Sequence, residues 1–250
     1  MKKILLLCLI CVAFACNSED ANDCFQTAGK TLSKTITVEK TFDKILVNQN
    51  IQLTIKQDSI VSVVVEAGEN LMNDVSVNVE NGELVLTDNN ICNLVRDYKP
   101  TKIIVTTPNI YQIRHSSQFD VVSEGTLRLG KLILISEDFN ADESFNVGDF
   151  RLNVSVTDLQ IVSNNIAVFY LSGVVQNLNI GFYAGAGRFE GEQLHAQHID
   201  IYHRGTNDMI VNPLLSLTGE ILGTGNVLSV NRPETVNLKA LYKGELIFIN

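Results

Sequence analysis

Residues 150–182 read FRLNVSVTDLQIVSNNIAVFYLSGVVQNLNIGF and show a short-strand pattern that recurs along the second half of the chain. Apolar strand cores alternate there with polar, asparagine-rich turns at roughly twenty-residue intervals, the length of one rung in a solenoid. The cores are Leu132-Ile133-Leu134, Leu152-Asn153-Val154, Leu178-Asn179-Ile180, Ile199-Asp200-Ile201 and Leu215-Ser216-Leu217, and shorter strands are expected between them at Val168 to Leu171, Arg188-Phe189 and Met209 to Val211. This repeat predicts a right-handed parallel β-helix in which each rung buries its inward face against its neighbours.

Upstream of the repeat, from Lys34 onward, apolar and polar residues alternate with a period of two. The alternating runs are Ile51 to Ile55, Val61 to Val65, Val75 to Val79 and Leu84 to Leu86, and the turn signals between them are Asn48-Gln49-Asn50, Ala67-Gly68-Glu69-Asn70 and Asn81-Gly82. Such alternation is typical of half-buried strands. No stretch keeps a helical apolar stripe over three turns, although Leu71-Met72 could begin one helical turn. The chain is therefore predicted to be all-β, with an antiparallel β-sandwich as the alternative fold.

The first sixteen residues have the features of an export signal that ends in a cysteine. Lys2 and Lys3 precede an apolar run that leads through Ala13 and Ala15 to Cys16, a run too short for a stable membrane span. Ala13-Phe14-Ala15-Cys16 resembles a bacterial lipobox, in which the cysteine is acylated and anchors the protein to a membrane. An ordinary cleavage site after Ala15 is the alternative. We expect a signal peptide at residues 1–15, an acidic tether at 16–33 and one domain at 34–250.

Charge and cysteine content indicate the compartment in which the protein resides and the classes of ligand that it disfavours. The formal net charge of −9 disfavours nucleic acid and anionic lipid as ligands. Cys24 and Cys92 are the thiols that remain after removal of the signal and acylation of Cys16. In an oxidising compartment two such thiols most simply form one disulfide. A metal pair is the alternative, but no histidine or further thiol lies near them in the sequence.

Motifs that resemble catalytic or ligand sites have simpler interpretations. Gly185, Gly187 and Gly191 do not fit a phosphate-binding loop, because the third glycine comes one residue too late and no helix follows, so they predict tight corners. His198 and His203 lie an odd number of residues apart on one strand and should face opposite ways, whereas His195 should lie across a bend, so a metal site is not expected.

The loop around Phe139 carries the acidic pairs Glu137-Asp138 and Asp142-Glu143, which could hold Ca²⁺ but lack the repeats of calcium solenoids. The chain has no G-x-S-x-G elbow and no Trp, which disfavours hydrolase chemistry and a sugar-stacking cleft. Asp58-Ser59-Ile60 resembles a bacterial O-glycosylation acceptor, with an ordinary turn as the alternative.

Several segments resemble the bacterial GIN-domain family, the proposed head domains of auto-transporter adhesins. They are Phe42-Asp43-Lys44-Ile45, Asn50 to Ile55, Val63 to Ala67, the Asn-Gly turn before Glu83 to Leu86, Gly205-Thr206-Asn207-Asp208, Gly223 to Val227 and Lys243 to Leu246. The resemblance implies a parallel β-helix, often lipid-anchored at the surface, with no catalytic residues. One departure is Asn207, where the family more often has glycine. Asparagine tolerates a positive φ, so this turn is expected to survive.

Together these features predict an outer-membrane lipoprotein at the cell surface or on the periplasmic face. Asn17 to Asp20 resembles a surface-export tag, with a solvated linker as the alternative. The expected role is non-catalytic binding or structure, including adhesion, with an unknown surface protein or glycan as partner, no nucleic acid and no cofactor. The alternative is a carbohydrate-active lyase or hydrolase, for which Arg151, Arg188 and Glu190 are the candidate residues.

Overall fold

The computed structural model describes residues 24–90, 92–97, 99–137 and 145–249. Within these ranges the chain forms sixteen β-strands and one 3₁₀ helix, with no α-helix, so the all-β prediction is confirmed. The strands are β1 (Thr31–Ile36), β2 (Lys44–Val47), β3 (Ile51–Gln57), β4 (Ser62–Gly68), β5 (Val75–Glu80), β6 (Glu83–Asp88), β7 (Thr101–Thr107), β8 (Gln112–His115), β9 (Val121–Ser136), β10 (Phe150–Ser163), β11 (Val168–Phe182), β12 (Arg188–His203), β13 (Met209–Ile221), β14 (Val227–Ser229), β15 (Thr235–Ala240) and β16 (Leu246–Phe248).

All sixteen strands belong to one mixed sheet, whose main path is β1-β4-β7-β3-β9-β10-β11-β12-β13-β14-β16. Antiparallel pairs occur only near the amino terminus of the described chain, between β1 and β4, β4 and β7, and β5 and β6. From β9 to β16 every recorded pair is parallel. The second half therefore lacks the hairpin pairing that an antiparallel sandwich would require.

The long strands β9 to β13 pair in the order in which they follow one another along the chain. Their registers align one column of buried apolar side chains through the sheet, Leu132, Leu159, Leu178, Ile199 and Leu217. Residues i, i+2 and i+4 of a strand share a face, so this alignment also places outward-facing side chains in rows. The predicted recurrence of similar strand cores is confirmed at Leu132, Leu178 and Ile199.

Two details of the predicted repeat are wrong. Leu152 aligns with Leu171 rather than with Leu178, and Leu217 rather than Leu215 occupies the buried column. The short strands expected from Val168, Arg188 and Met209 are the first parts of β11, β12 and β13. The physical reason is that the phase of the alternation changes at least once within a long strand such as β10, β11 or β12.

The change of phase occurs at consecutive exposed residues inside the strands. In β10 they are Thr157 and Asp158, and in β11 they are Gln176 and Asn177. The ladder between these strands passes from Val156 directly to Asp158, so the backbone pairing is interrupted at the same place. The alternation therefore suggests two different strands, because the buried positions move from even to odd residue numbers in β10 and from odd to even in β11.

Aromatic rings form the centre of the core in the second half. Phe150 stacks on Phe169 with ring centroids 4.9 Å apart, and Phe169 meets Phe182 at 5.8 Å. Buried histidines lie at both ends of this series, His115 at 5.3 Å from Phe150 and His203 at 6.1 Å from Phe182. Contacts between aromatic rings are favourable. Those between Phe150 and Phe169 and between Phe182 and His203 stabilise the alignment of neighbouring strands, whereas the contact between Phe169 and Phe182 joins the two ends of β11.

The turns predicted in the first half are confirmed. Asn50 has φ 66°, and Asn81 and Gly82, with φ 51° and 79°, connect β5 to β6 as a hairpin. The helical turn expected after Leu71 is the 3₁₀ helix Met72–Asp74. Strand β1 starts at Thr31, inside the segment predicted as a tether, because its backbone pairs with β4 although its side chains are largely exposed.

Glycine-rich turns stack on one another beside the long strands. The Thr206 amide donates to the carbonyl of Gly185, the Gly225 amide to that of Gly205 and the Gly244 amide to that of Gly223, at 3.1, 3.3 and 3.1 Å. These contacts confirm that the glycines at 185 and 223–225 form tight corners.

Asn207, where the GIN family more often has glycine, does not use a positive φ. Instead, its side-chain amide donates to the carbonyl of Ala186 at 2.6 Å. The expectation that this asparagine would survive through a left-handed conformation is therefore wrong. The residue is accommodated because its side chain bonds to the preceding stacked turn.

The stacked turns predict a steep cost for one added methyl group. A Cβ at Gly223 would lie 2.1 Å from the Gly205 carbonyl oxygen, whereas a Cβ at Gly130 would meet nothing within 4 Å. We expect Gly223→Ala to lower the free energy of unfolding by about 1–3 kcal/mol through overpacking. Urea unfolding followed by far-ultraviolet circular dichroism measures this change. The matched control Gly130→Ala should unfold within about 0.5 kcal/mol of the wild type, and equal stabilities of all three chains would contradict the role of turn stacking.

Candidate binding face

The second halves of β9 to β13 present a regular set of polar side chains outward. Because Leu132, Leu159, Leu178, Ile199 and Leu217 are buried, the residues on either side of them point away from the core. We call this surface the polar face and define it as Lys131, Asp158, Gln160, Asn177, Asn179, His198, Asp200, Ser216 and Thr218. These residues line a shallow groove of about 420 Å³.

The strand register arranges the polar face in two rows. Asp158, Asn177, His198 and Ser216 are successive partners in one row, and Gln160, Asn179, Asp200 and Thr218 are successive partners in the other. Adjacent strands lie about 4.8 Å apart, and outward residues on one strand lie roughly 6.6 Å apart. The polar groups therefore form a nearly regular grid across four or more strands.

Hydrogen bonds within each row hold these side chains in place. The Asn177 amide donates to the Asp158 carboxylate at 2.8 Å, and His198 Nδ1 and Ser216 Oγ are 2.9 Å apart. In the second row Asp200 accepts from Asn179 at 3.2 Å and from Thr218 at 2.8 Å. Since each carboxylate oxygen has two lone pairs, Asp200 keeps acceptor capacity for a ligand.

An aromatic pair adjoins the second row. The ring of Tyr183 folds back over Gly181, so closely that a Cβ there would lie 2.7 Å from the phenol oxygen. Tyr202 is the strand partner of Gly181, and the two tyrosine ring centroids are 5.2 Å apart at an interplanar angle of 32°. We call Tyr183 and Tyr202 the tyrosine pair. Tyr183 is 40 % exposed, so an aromatic surface is accessible beside the polar face.

The tyrosine pair was not predicted from the sequence. The absence of tryptophan disfavoured a stacking surface, and no local pattern indicates that Tyr183, just beyond the end of β11, returns over its own strand. A signal was available in Gly181, because an isolated glycine within a strand often marks a close approach by another group.

The three histidines of β12 do not form a metal site. His198 is exposed and His203 is buried, which confirms that they face opposite ways. His195 is exposed, and its Nδ1 lies 3.2 Å from the Asn212 amide nitrogen. No group of three or more His, Cys, Asp or Glu residues among the described residues could hold a metal ion.

The residues considered for an enzyme lie close together on another face of the sheet. Arg151 pairs with Asp120 and Asp149, each at 2.8 Å, and its guanidinium stacks 4.0 Å from the centroid of Tyr170. The hydrogen bond to Asp120 raises the pKa of Arg151.

Arg188 forms an ion pair with Glu190, and Glu190 aligns with Tyr170. Asp120, Asp149 and Glu190 are therefore each engaged in an ion pair with an arginine.

Other predicted sites have mixed outcomes. Glu137 forms an ion pair with Arg114, while the remaining acidic positions of that loop, Asp138, Asp142 and Glu143, lie outside the described residues. Cys16 and the signal also lie outside them, so lipidation stays a prediction. No helix in the described part of the chain is long and apolar enough to cross a membrane.

Cys24 and Cys92 form the predicted disulfide, with their Cα atoms 4.5 Å apart. The segment after Cys24 is also held by backbone bonds, from Leu94 to the Cys24 carbonyl at 2.9 Å and from Asn70 to the Ala28 carbonyl at 3.3 Å. The tether expected at residues 16–33 is therefore attached to the domain from Cys24 onward.

A second cleft of about 780 Å³ lies beside this disulfide-linked segment and includes Asp88, Asn90 and Arg96 in its lining. The buried Asp88 carboxylate accepts from the Thr101 hydroxyl at 2.5 Å and from the Asn90 backbone at 2.8 Å. These bonds are internal to the protein, so Asp88 serves to fix the loop between β6 and β7.

The fold and the polar face define an all-β protein with a parallel sheet whose ordered outer surface is suited to binding. A family model described as "Putative auto-transporter adhesin, head GIN domain" matches residues 41–233. The chain therefore belongs to this family, as its sequence resemblance indicated.

Solved structures share the fold at low sequence identity. A putative adhesin from Bacteroides fragilis is 20 % identical with a TM-score of 0.77, covering 89 % of this chain and 99 % of that one. A putative adhesin from Parabacteroides merdae is 17 % identical with a TM-score of 0.58, covering 89 % and 97 %. A putative lipid binding protein from Parabacteroides distasonis is 16 % identical with a TM-score of 0.57, covering 89 % and 98 %. No curated protein sequence matches the chain.

The disulfide predicts a redox-dependent stability. It spans 68 residues, and closing a loop of that length stabilises a fold by about 4 kcal/mol in the chain-entropy account. We expect reductant to lower the free energy of unfolding by about this amount, measured by urea unfolding with and without dithiothreitol. A chain with both Cys24→Ala and Cys92→Ala should be insensitive to reductant, and an unchanged wild-type midpoint would contradict the prediction.

The buried histidines predict a loss of stability in mild acid. Burial lowers the pKa of His115 to about 4, against the opposing effects of its hydrogen bond to the Phe119 carbonyl and of Asp120. Burial also lowers the pKa of His203. Because the unfolded chain then binds more protons than the folded one, stability falls as the pH drops from about 6.5 towards 4.

We expect the His115 contribution to cost about 1.4 kcal/mol at pH 5.5 relative to pH 7.5. Urea unfolding at the two pH values measures it. His115→Gln keeps an amide donor for Phe119 without titrating, so its pH dependence should be smaller by this amount. The exposed control His198→Gln should retain the wild-type dependence. If His115→Gln were as acid-sensitive as the wild type, the assignment would be wrong.

Proposed function

We propose that this chain is a lipid-anchored protein of the bacterial cell envelope that binds an extracellular partner without catalysis. The observation that carries the proposal is the polar face, in which two rows of hydrogen-bonded side chains repeat across consecutive parallel strands. Repeated polar rows suit multivalent contact with an extended partner, because several weak contacts can act together. The family's description as adhesin head domains supports the same role.

The proposed architecture is a right-handed parallel β-helix. Its support comes from the uninterrupted parallel pairing of β9 to β13 and from polar contacts between residues 18 to 21 positions apart on neighbouring strands. The shifts of alternation inside the strands correspond to corners between flat faces. Each rung would then expose the same kind of surface as the rung before it.

The proposed location follows from the amino-terminal segment. The Lys2-Lys3 start, the apolar run and the Ala13-Phe14-Ala15-Cys16 motif support export followed by acylation of Cys16. The Cys24–Cys92 disulfide supports an oxidising compartment. An acidic segment from Glu19 to Asp23 separates Cys16 from the domain and would hold the binding face away from the lipid.

A non-catalytic role is supported by the charged groups of the Arg151 region. Asp120 and Asp149 are bonded to Arg151, and Glu190 is bonded to Arg188. Hydrolysis of a glycosidic bond requires one carboxylic acid that can donate a proton and a second carboxylate across the scissile bond. Here each carboxylate is instead paired with an arginine, and a binding role is the better explanation of such a surface.

Protease shaving of intact cells tests the proposed location. Cells expressing the full chain are treated with an impermeant protease, and the protein is detected by an antibody beside a periplasmic marker. We expect the chain to be degraded while the periplasmic marker survives, because the anchored domain would face outward. Labelling with a palmitate analogue should mark the wild type.

The matched control is Cys16→Ala, which removes the acylated thiol and should abolish lipid labelling and membrane retention. A wild-type chain that resists the protease on intact cells but is degraded after lysis would contradict surface exposure. A wild-type chain that carries no lipid label would contradict the anchor.

A further inference from the structure

We propose that the polar face and the adjoining tyrosine pair bind a neutral glycan, an inference that rests on the binding role proposed above. The juxtaposition of an aromatic surface with rows of oriented amide, hydroxyl and carboxylate groups is the feature that carries it. Sugar rings offer apolar C–H faces and a perimeter of hydroxyl groups, and this surface can contact both.

The aromatic part of the surface is held in position by the backbone. Gly181 leaves room for the Tyr183 ring, and Tyr202 on the next strand places a second ring 5.2 Å away. Tyrosine has an apolar ring surface and a polar hydroxyl. A sugar can therefore pack its C–H face on an exposed ring while the phenol oxygens contact its hydroxyl groups.

The hydrogen-bonding part lies directly beside the rings. Asp200 is two residues before Tyr202 on the same face of β12, and it is held from both sides by Asn179 and Thr218. A sugar hydroxyl both donates and accepts, so it matches a surface on which acceptors and donors alternate. Because the internal bonds already restrict these side chains, less conformational entropy is lost when a ligand binds.

Charge selects a neutral ligand over an anionic one. The polar face carries the carboxylates Asp158 and Asp200 against the single cation Lys131. Beyond Tyr202 in the strand register, Glu220 is followed by Lys239, so these two charges offset each other and the excess of carboxylates remains. The whole chain has a formal net charge of −9. Sulfated or sialylated glycans and phospholipid head groups would therefore be repelled.

Polarity disfavours a protein partner at the same place. Protein interfaces are depleted of charged residues at their cores and bury apolar groups there. The centre of this face is instead formed by Asn177, Asn179, His198 and Asp200, all exposed. Such groups would lose water on docking to an apolar surface, whereas glycan hydroxyl groups can replace that water.

A glycan array gives the first test. The full chain, purified in detergent, is applied to an array that carries neutral gluco-, manno- and galacto-oligosaccharides beside sulfated and sialylated ones. We expect binding to neutral oligosaccharides that changes less than about twofold between 0.05 and 0.5 M salt, because no ionic contact contributes. The affinity for the best neutral oligosaccharide is then measured by calorimetry.

Variants test whether the surface is the one assigned. Tyr183→Ala and Tyr202→Ala should each lower the affinity at least tenfold, and Asp200→Asn several-fold. Tyr183→Leu keeps an apolar cover over Gly181 and should lose affinity like Tyr183→Ala, which separates loss of stacking from loss of folding. The matched control is Tyr170→Ala, on β11 but on another face, which should bind like the wild type.

Each outcome has a definite meaning. Selective, salt-insensitive binding that depends on the tyrosine pair supports the inference. Binding only to anionic glycans, no binding to any neutral oligosaccharide, or equal loss in Tyr170→Ala overturns it. The array uses purified protein, so it is independent of location. If no glycan binds on the array but the chain is exposed on intact cells, the glycan inference is refuted and the proposed location is not. Glycan binding by a chain that proves to be unexposed on cells instead refutes the proposed location.

Discussion

The parallel register between successive long strands is the constraint on which the rest of the structure depends. Once Leu159 is fixed beside Leu178 and Leu178 beside Ile199, the neighbours of the residues in the second halves of β10, β11 and β12 are determined. A slip of one residue would exchange the buried and exposed sets along the whole strand. The buried column therefore specifies the register, and the register in turn specifies both the aromatic series inside and the polar rows outside.

Aromatic contacts in the core and steric contacts between the stacked turns both stabilise this register. The rings of Phe150 and Phe169 meet because these residues are register partners on β10 and β11, whereas Phe169 and Phe182 meet because the two ends of β11 approach each other. The stacked turns add a steric condition, since the carbonyl oxygen of Gly205 lies where a side chain at Gly223 would begin. Of the two nitrogens of the buried His115 imidazole, Nε2 donates to the Phe119 carbonyl at 2.7 Å, whereas Nδ1 has no hydrogen-bond partner among the described residues. Burial of an unpaired polar group would cost about 1–3 kcal/mol.

Most of the strands can be predicted from the sequence, but less of the candidate binding site can. Alternation of Ile51, Leu53 and Ile55 predicts β3 because one face of that strand is buried and the other is exposed. The alignment of Leu152 could not be predicted, because the phase of the alternation changes within a continuous strand. Sequence spacing alone does not reveal where that change occurs.

The site depends on contacts that the order of residues does not encode locally. Tyr183 and Tyr202 are far apart in sequence and meet only through the register and the open space over Gly181. The cysteine pairing was predictable, because export left few thiols that could pair. The three-dimensional position of Asp200 between Asn179 and Thr218 was not, because it requires both neighbouring registers at once.

The same constraint explains why the family name carries limited information about the ligand. The buried column, the aromatic series and the turn glycines suffice to define the backbone. None of them depends on which side chains point outward. A structure 20 % identical to this chain accordingly keeps the fold with a TM-score of 0.77. Outer rows can therefore change without loss of the fold, so members of one family can present different chemistry on the same grid. Specificity in this protein must then be sought in its outward side chains, among them those of the polar face and the tyrosine pair.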